Sequence, residues 1–511
     1  MSDLTPVIIG VGEASERIDA PDYRAMSPAD LAGAAARAAL DDALSAEALA
    51  PHLEAIAAIR QFEVSGPNVV APFGRADNFP RAVARRIGAD PKRAILEPVG
   101  GQGPQHLVNE FAQAIGRGEI EMALFVGSEA ISTIRHLISR GESRDWSESV
   151  GGRLEDRGFG EPLLTRDLAQ HGARTPISVY ALFENARRGR LGLDRAAYAL
   201  EMGRLFAPFT EVAAHNPHAM SREVFTAEQL ATVSERNRLT SDPFPRRMVA
   251  RDQANQGAAV LIASAGKARA LGVPEEKFVY LHGGADARER TVVERQDLSR
   301  SPASVLAARR ALEAVGVGEI DLFDLYSCFP IAVFNVRDGL EIAPGDPRPL
   351  TVTGGLPFFG GAGNNYSMHA IASMVRALRA RPHAKGLVAA NGGFLSKYSV
   401  GVYSARPAPW RGFDSAALQA EVDAWPAPPL AGPVAGSGVI ETYTIDYSGP
   451  APHGVAIGAV EGSGARFIAM TPPDDAAVVQ AMIDHDPLRA RVELAPDEAG
   501  HTLIKALTPK G

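Results

Sequence analysis

Tyr326, Ser327 and Cys328 follow directly on the run Asp321-Leu-Phe-Asp-Leu. A phenol and a thiol two positions apart are a pair able to move protons or attack a carbonyl. A thiol with an ordinary pKa near ~8.5 attacks only once a cation, a helix N-terminus or a base has ionised it. A phenol with a pKa near ~10 serves as an acid or a donor to a developing oxyanion. Cys328 is the only cysteine of the chain, and its plain alternative is a buried small hydrophobe. Tyr326 has its own alternative, packing at a turn with its hydroxyl in water.

Three further stretches carry polar groups beside glycines. Gly354-Gly355 leads to Gly360-Gly361-Ala-Gly363-Asn364-Asn365-Tyr366 and His369. Asn391-Gly392-Gly393 is the second, and Gly100-Gly101-Gln102-Gly103 with His106 is the third. Asparagine amides donate to a carbonyl oxygen that becomes negative, or else cap helices and hold left-handed turns. His369 and His106 are acid/base candidates or satisfied structural histidines. The glycines suit close approach of a thioester arm, or simply tight turns. No glycine run has phosphate-loop or dinucleotide spacing. Arg246 and Arg247 suit phosphate contacts, or else a solvated surface.

Each stretch falls where a strand ends. Pro6–Gly12, Ile56–Phe62, Ile95–Val99 and Met122–Glu129 read as strands, and Leu31–Leu40 and His106–Ile115 as helices. The same series returns later. Val305–Leu312 is a helix, Ile320–Leu325 and Leu350–Thr353 are strands, a helix spans about 366–379, and Leu387–Ala390 is a strand. Two copies of one order imply an internal duplication. Polar residues at strand ends in such sheets face the ligand crevice.

These patterns divide the chain into an N-terminal half (1–130 and 252–270), a loop subdomain (131–251), a C-terminal half (271–410), a linker (411–437) and a β-rich module (438–511). The composition, 46% apolar and 22% charged, is that of a globular protein. A net charge of −8 gives no support for nucleic-acid binding. One cysteine allows neither an internal disulfide nor a cysteine-based zinc site, and no metal is expected. No apolar run suggests membrane insertion, and no secretory signal opens the sequence, so the cytoplasm is the default location.

The duplicated α/β series, with Tyr326-Ser327-Cys328-Phe329, the Gly354–Gly363 segment and Asn391-Gly392-Gly393, resembles the thiolase superfamily. The added C-terminal module resembles that of thiolase-like proteins type 1. The resemblance implies a thiolase fold, a five-layered α-β-α-β-α core built from two halves. It implies acyl-CoA acyltransferase chemistry, with a coenzyme A thioester as substrate or ligand and no other cofactor. On this reading Cys328, Tyr326, His369 and Asn391 are catalytic. Gly100, Gly101, Gly361, Asn364, Asn365 and Gly393 then bind substrate. It also implies pairing into a homodimer across the strand near the Gly100 turn. Three departures accompany the match. Gly100 stands at the nucleophile position, Gly361 at the histidine position, and Asn391 at the second cysteine position. They open two alternatives, a silent binder of CoA or acyl-CoA and a retro-aldolase using Tyr326.

Overall fold

The computed structural model describes residues 2–161 and 164–508. Its strands are β1 (Pro6–Ser15), β2 (Ala55–Ile59), β3 (Arg93–Glu97), β4 (Met122–Ala130), β5 (Glu155–Asp156), β6 (Leu239–Ser241), β7 (Phe244–Pro245), β8 (Asn255–Ser264) and β9 (Val279–Arg288). They continue with β10 (Leu322–Leu325), β11 (Lys385–Gly392), β12 (Lys397–Ser404), β13 (Gly436–Asp446), β14 (His453–Val460), β15 (Arg466–Met470), β16 (Arg491–Pro496) and β17 (Thr502–Thr508).

The large sheet runs β10-β11-β12-β9-β1-β8-β4-β2-β3-β5. The order β2-β4-β8-β1 in one half repeats as β10-β11-β12-β9 in the other. In each, the first pair is parallel and the next two are antiparallel. The halves meet where Val7 and Ile8 of β1 pair with Tyr280 and Val279 of β9. The Gly103–Gly116 and Tyr366–Ala380 helices pack against each other between the halves. This is the duplicated thiolase architecture that the sequence implies.

Local chemistry explains the elements. Ser27 and Asp30 form a reciprocal capping box on the Pro28–Ala43 helix, with proline in its first turn. The alanines of that helix sit directly on β1, where a Cβ on Gly10 or Gly12 would collide with the Ala39 or Ala35 carbonyl. Leu350–Thr353, expected as a strand, is irregular. It still lies beside β10, with Pro349 and Leu350 carbonyls accepting from Phe323 and Leu325. The polar side chains of Thr351 and Thr353 bend this segment toward the buried Asp324.

The expected loop subdomain does not stand alone. It lends β5 to the large sheet and β6-β7 to the C-terminal one. In the C-terminal domain β13, β14, β15, β17 and β16 close into a ring, because β13 pairs with both β14 and β16. Closure leaves no free strand edge within that ring. The stretch expected as a linker contains the Ser415–Asp423 helix, which packs on β9.

The outer edge of β3, where two copies were expected to pair, is covered by the chain's own β5. Ile95 faces Glu155 and Leu96 faces Asp156. Arg93–Glu155 (2.8 Å) and Arg60–Asp156 ion pairs fasten it. Among the described residues no helix is long and apolar enough to cross a membrane.

Candidate functional site

β10 ends at Leu325, and the next residues turn into the Pro330–Gly339 helix. The Tyr326 N–H donates to the Ala389 carbonyl of β11 at 3.0 Å, which ties the turn to its neighbour strand. Beneath it Asp324 is buried. It accepts from Thr351 Oγ1 (3.0 Å), the Val352 N–H (3.0 Å) and the Tyr366 hydroxyl (3.1 Å). Burial raises its carboxyl to about 6 despite these donors. Asp324 therefore anchors the turn and stands outside the cavity above.

That cavity has a volume of ≈ 790 Å³, and its lining includes Tyr326, Cys328, Asn391, Gly392, Gly393, Gly100, Gly101, Gly361 and Asn364. Tyr180 and Phe329 join them, and Val99, Ile177, Val249 and Leu356 supply apolar wall. The strand-end glycines and polar groups thus converge on one space, in the size range of small-molecule sites.

Tyr180 organises the floor. Its hydroxyl donates to the Gly393 carbonyl at 2.9 Å and accepts from Asn391 Nδ2 (2.9 Å) and the Leu395 N–H (3.2 Å). Its ring stacks on Phe329 with centroids 4.3 Å apart. Asn391 Nδ2 also faces Cys328 Sγ at 3.8 Å, and its Oδ1 has no partner. Nothing in the sequence around Tyr180 repeats a motif, and it lies within the stretch read only as a loop subdomain.

The glycines have separate reasons. A Cβ on Gly101 would collide with the Tyr326 hydroxyl and stand 2.6 Å from the Asn391 carbonyl oxygen. Gly101 is therefore the seat of the Tyr326 phenol. A Cβ on Gly100 would meet the Gln102 side-chain oxygen, so Gln102 fills that space. At Gly361 the nearest atom to a Cβ is the Arg251 carbonyl oxygen at 3.2 Å, and the position opens on the cavity.

Electrically the floor is neutral. Burial pushes the Cys328 thiol up to about 12, against the pull of Tyr180, the Phe329 N–H and Asn391. Burial, then the neighbouring Cys328, raises the Tyr326 phenol well above its ordinary value. At pH 7 the thiol is therefore held in its protonated form. The charged lining groups are Glu161, Asp252 and Lys397. Glu161 pairs with Arg288, and Asp252 with Arg135 at 2.6 Å. Lys397 donates to the Val99 carbonyl at 3.0 Å. Burial lowers its ammonium pKa, with Glu161 and Glu97 opposing.

Several expected residues lie elsewhere. His369 is sealed in the Tyr366–Ala380 helix, fully buried, with Nδ1 2.5 Å from Glu13 Oε1. It does not line the cavity, because the helix turns it toward β1. Asn365 is 1% exposed, outside the cavity, with neither amide atom partnered. Asn364 lines the cavity but is committed: its Oδ1 accepts from the Gly100 N–H (3.1 Å) and its Nδ2 donates to the Arg60 carbonyl (2.8 Å). His106 lies 3.3 Å from Asp286, behind the glycine turn. Burial opposes its protonation, but Asp286, Glu97 and Glu110 raise it to about 9. Arg247 covers the Phe225 ring, its guanidinium carbon 4.4 Å from the centroid, and neither it nor Arg246 lines the cavity.

Residues 417–499 match the family model of the thiolase-like protein type 1 additional C-terminal domain. No curated protein sequence matches the chain. Among solved structures, a monomeric SCP2-thiolase-like protein type 1 from Mycobacterium smegmatis is 43% identical, covers 99% of both chains and has a TM-score of 0.85. The Ltp2-ChsH2(DUF35) aldolase is 17% identical over 78% of this chain and 98% of that one, at a TM-score of 0.58. The dimeric peroxisomal thiolase of Saccharomyces cerevisiae is 14% identical over 79% and 98%, at 0.57. These last two share the fold. Identity of 43% along 99% of both chains places this protein in the family of SCP2-thiolase-like proteins type 1.

Proposed function

We propose that the cavity takes the pantetheine arm and acyl group of a coenzyme A thioester and holds it without an acyl-cysteine intermediate. The observation that carries this is the neutral floor. Cys328, Tyr326, Tyr180 and Asn391 meet there as protonated or uncharged groups, and the lone thiol titrates only at about 12. Acyl transfer through a cysteine needs a thiolate and a partner base. Glycine stands at the nucleophile and histidine positions, and His369 faces Glu13 instead. A thioester carbonyl, by contrast, is well served by neutral donors in an apolar wall. Of the readings the sequence leaves open, non-covalent acyl-CoA binding is favoured over acyl transfer.

Titration calorimetry with acyl-CoAs of graded chain length, alongside an assay for released CoA thiol, tests this. Binding should tighten with chain length, no CoA should be released, and Cys328→Ala should bind within about twofold of the parent. Release of CoA that depends on Cys328 would overturn the reading.

A second reading has one observation of its own. The Tyr326 hydroxyl sits against Gly101 on the cavity side and donates to no side chain among the described residues. That leaves a phenol free to protonate a carbanion, as in retro-aldol cleavage of a bulky CoA thioester. On that reading Tyr326→Phe abolishes cleavage and Cys328→Ala does not.

A further inference from the structure

The Pro176–Leu191 helix lines the acyl cavity with Pro176, Ile177 and Tyr180, and its far end reaches a second cavity with Arg190. The Pro330–Gly339 helix starts beside Cys328 and carries Asn335 and Asp338 to the same place. This second cavity has a volume of ≈ 400 Å³. Arg190, Arg300 and Arg309 line it, together with the carboxylates of Asp338 and Glu341 and with Leu306 and Trp425.

Its positive charge is only partly offset. Asp338 is engaged by Arg187 (2.8 Å) and Arg337 (2.8 Å), and Arg190 reaches it only at 3.7 Å. Arg300 lies 3.4 Å from Asp297, and Arg309 lies 3.9 Å from the exposed Glu341. Burial, then the charges of Arg300 and Arg187, pull the Arg190 guanidinium below its ordinary value. A buried donor beside the cavity also lacks a partner. Asn335 is 6% exposed, lines the cavity, and its Nδ2 has no hydrogen-bond partner. Buried donors in folded proteins are almost always satisfied by protein, water or ligand. Guanidinium groups match the oxygen spacing of phosphate and carboxylate.

We propose that this cavity binds an organic anion, a phosphate ester or a carboxylate, gripped by Arg190, Arg300 and Arg309 and packed against Trp425. The site is separate from the acyl cavity and stands whether or not a thioester binds there.

The full chain in phosphate-free buffer is titrated calorimetrically with phenyl phosphate, benzoate and inorganic phosphate. One-site binding of phenyl phosphate or benzoate is expected, weakened at least tenfold in the Arg300→Gln, Arg309→Gln double variant. Those two side chains are 61% and 59% exposed, so the fold does not depend on them. Binding of phenyl phosphate alone assigns a phosphate ester, and of benzoate alone a carboxylate. No binding of either organic probe, binding of inorganic phosphate only, or equal affinity in the double variant would each overturn the proposal.

Discussion

Cys328 lies in the cavity yet is chemically quiet, because an apolar surround disfavours the thiolate. Its alkylation by iodoacetamide in the native protein should be negligible at pH 8 and accelerate only as pH approaches the titration at about 12. Mass spectrometry of the alkylated cysteine checks this, and fast labelling at pH 8 would contradict it. The Tyr326–Cys328 sequence made the floor legible, since strand-end residues in this fold face a crevice. It did not reveal which way His369 points. A histidine in the first turn of a helix looks equally able to reach either side, and only the carboxylate of Glu13, 356 positions away in sequence, decides. Glu13 has a measurable consequence. Burial alone would raise its carboxyl, but the His369 hydrogen bond and the charges of His369, Arg376 and His218 bring it from 4.5 to about 2. The folded value is the lower one, so the stabilisation is present above pH 4.5 and is lost as pH falls toward 2. The difference amounts to roughly 3 kcal/mol. Urea denaturation of the parent and Glu13→Gln at pH 3 and pH 7 should show a steeper loss in the parent.

Strand ends and glycine turns are the elements on which the site depends. The Gly100–Gly103 turn is held by Asn364 and by the absence of a Cβ at Gly101. Gly101→Ala should displace the Tyr326 phenol and the Asn391 carbonyl. It should weaken acyl-CoA binding at least tenfold, measured by calorimetry, while the melting temperature shifts by only a few degrees. Tyr180→Phe removes one donated and two accepted hydrogen bonds across the 391–395 turn. A loss of about 1–3 kcal/mol in urea denaturation is expected. The sequence displayed the glycines but not their reasons. The partners of Gly100, Gly101 and Gly361 come from residues far along the chain or from a neighbouring side chain, and no local pattern encodes them. The irregular Leu350–Thr353 segment was misread as a strand for the same cause. Its apolar alternation is real, and the buried Asp324 overrides it.

The whole molecule is closed on itself in two ways. Its β5 occupies the edge of β3, and the C-terminal ring shares β6 with the loop region. The protein should therefore sediment as a single chain of 54.0 kDa; a stable dimer in analytical ultracentrifugation would contradict this. The C-terminal domain is locked on by Arg188, fully buried, whose guanidinium meets Asp486 (2.7 and 2.8 Å) and Tyr443 (3.1 Å). Asp486→Ala strands that charge. Asp486 is itself half-exposed, so the expected loss is discounted to about 2 kcal/mol. The duplication was readable in the order of elements, whereas the domain couplings were not, since β5 and β6 are two and three residues long. The most direct test of the account is a crystal structure with a long-chain acyl-CoA bound. The account predicts an intact thioester whose carbonyl lies among Tyr326, Cys328 and Asn391, with the acyl chain along the apolar wall. An acyl group bonded to Cys328, or a ligand bound outside this cavity, would contradict it.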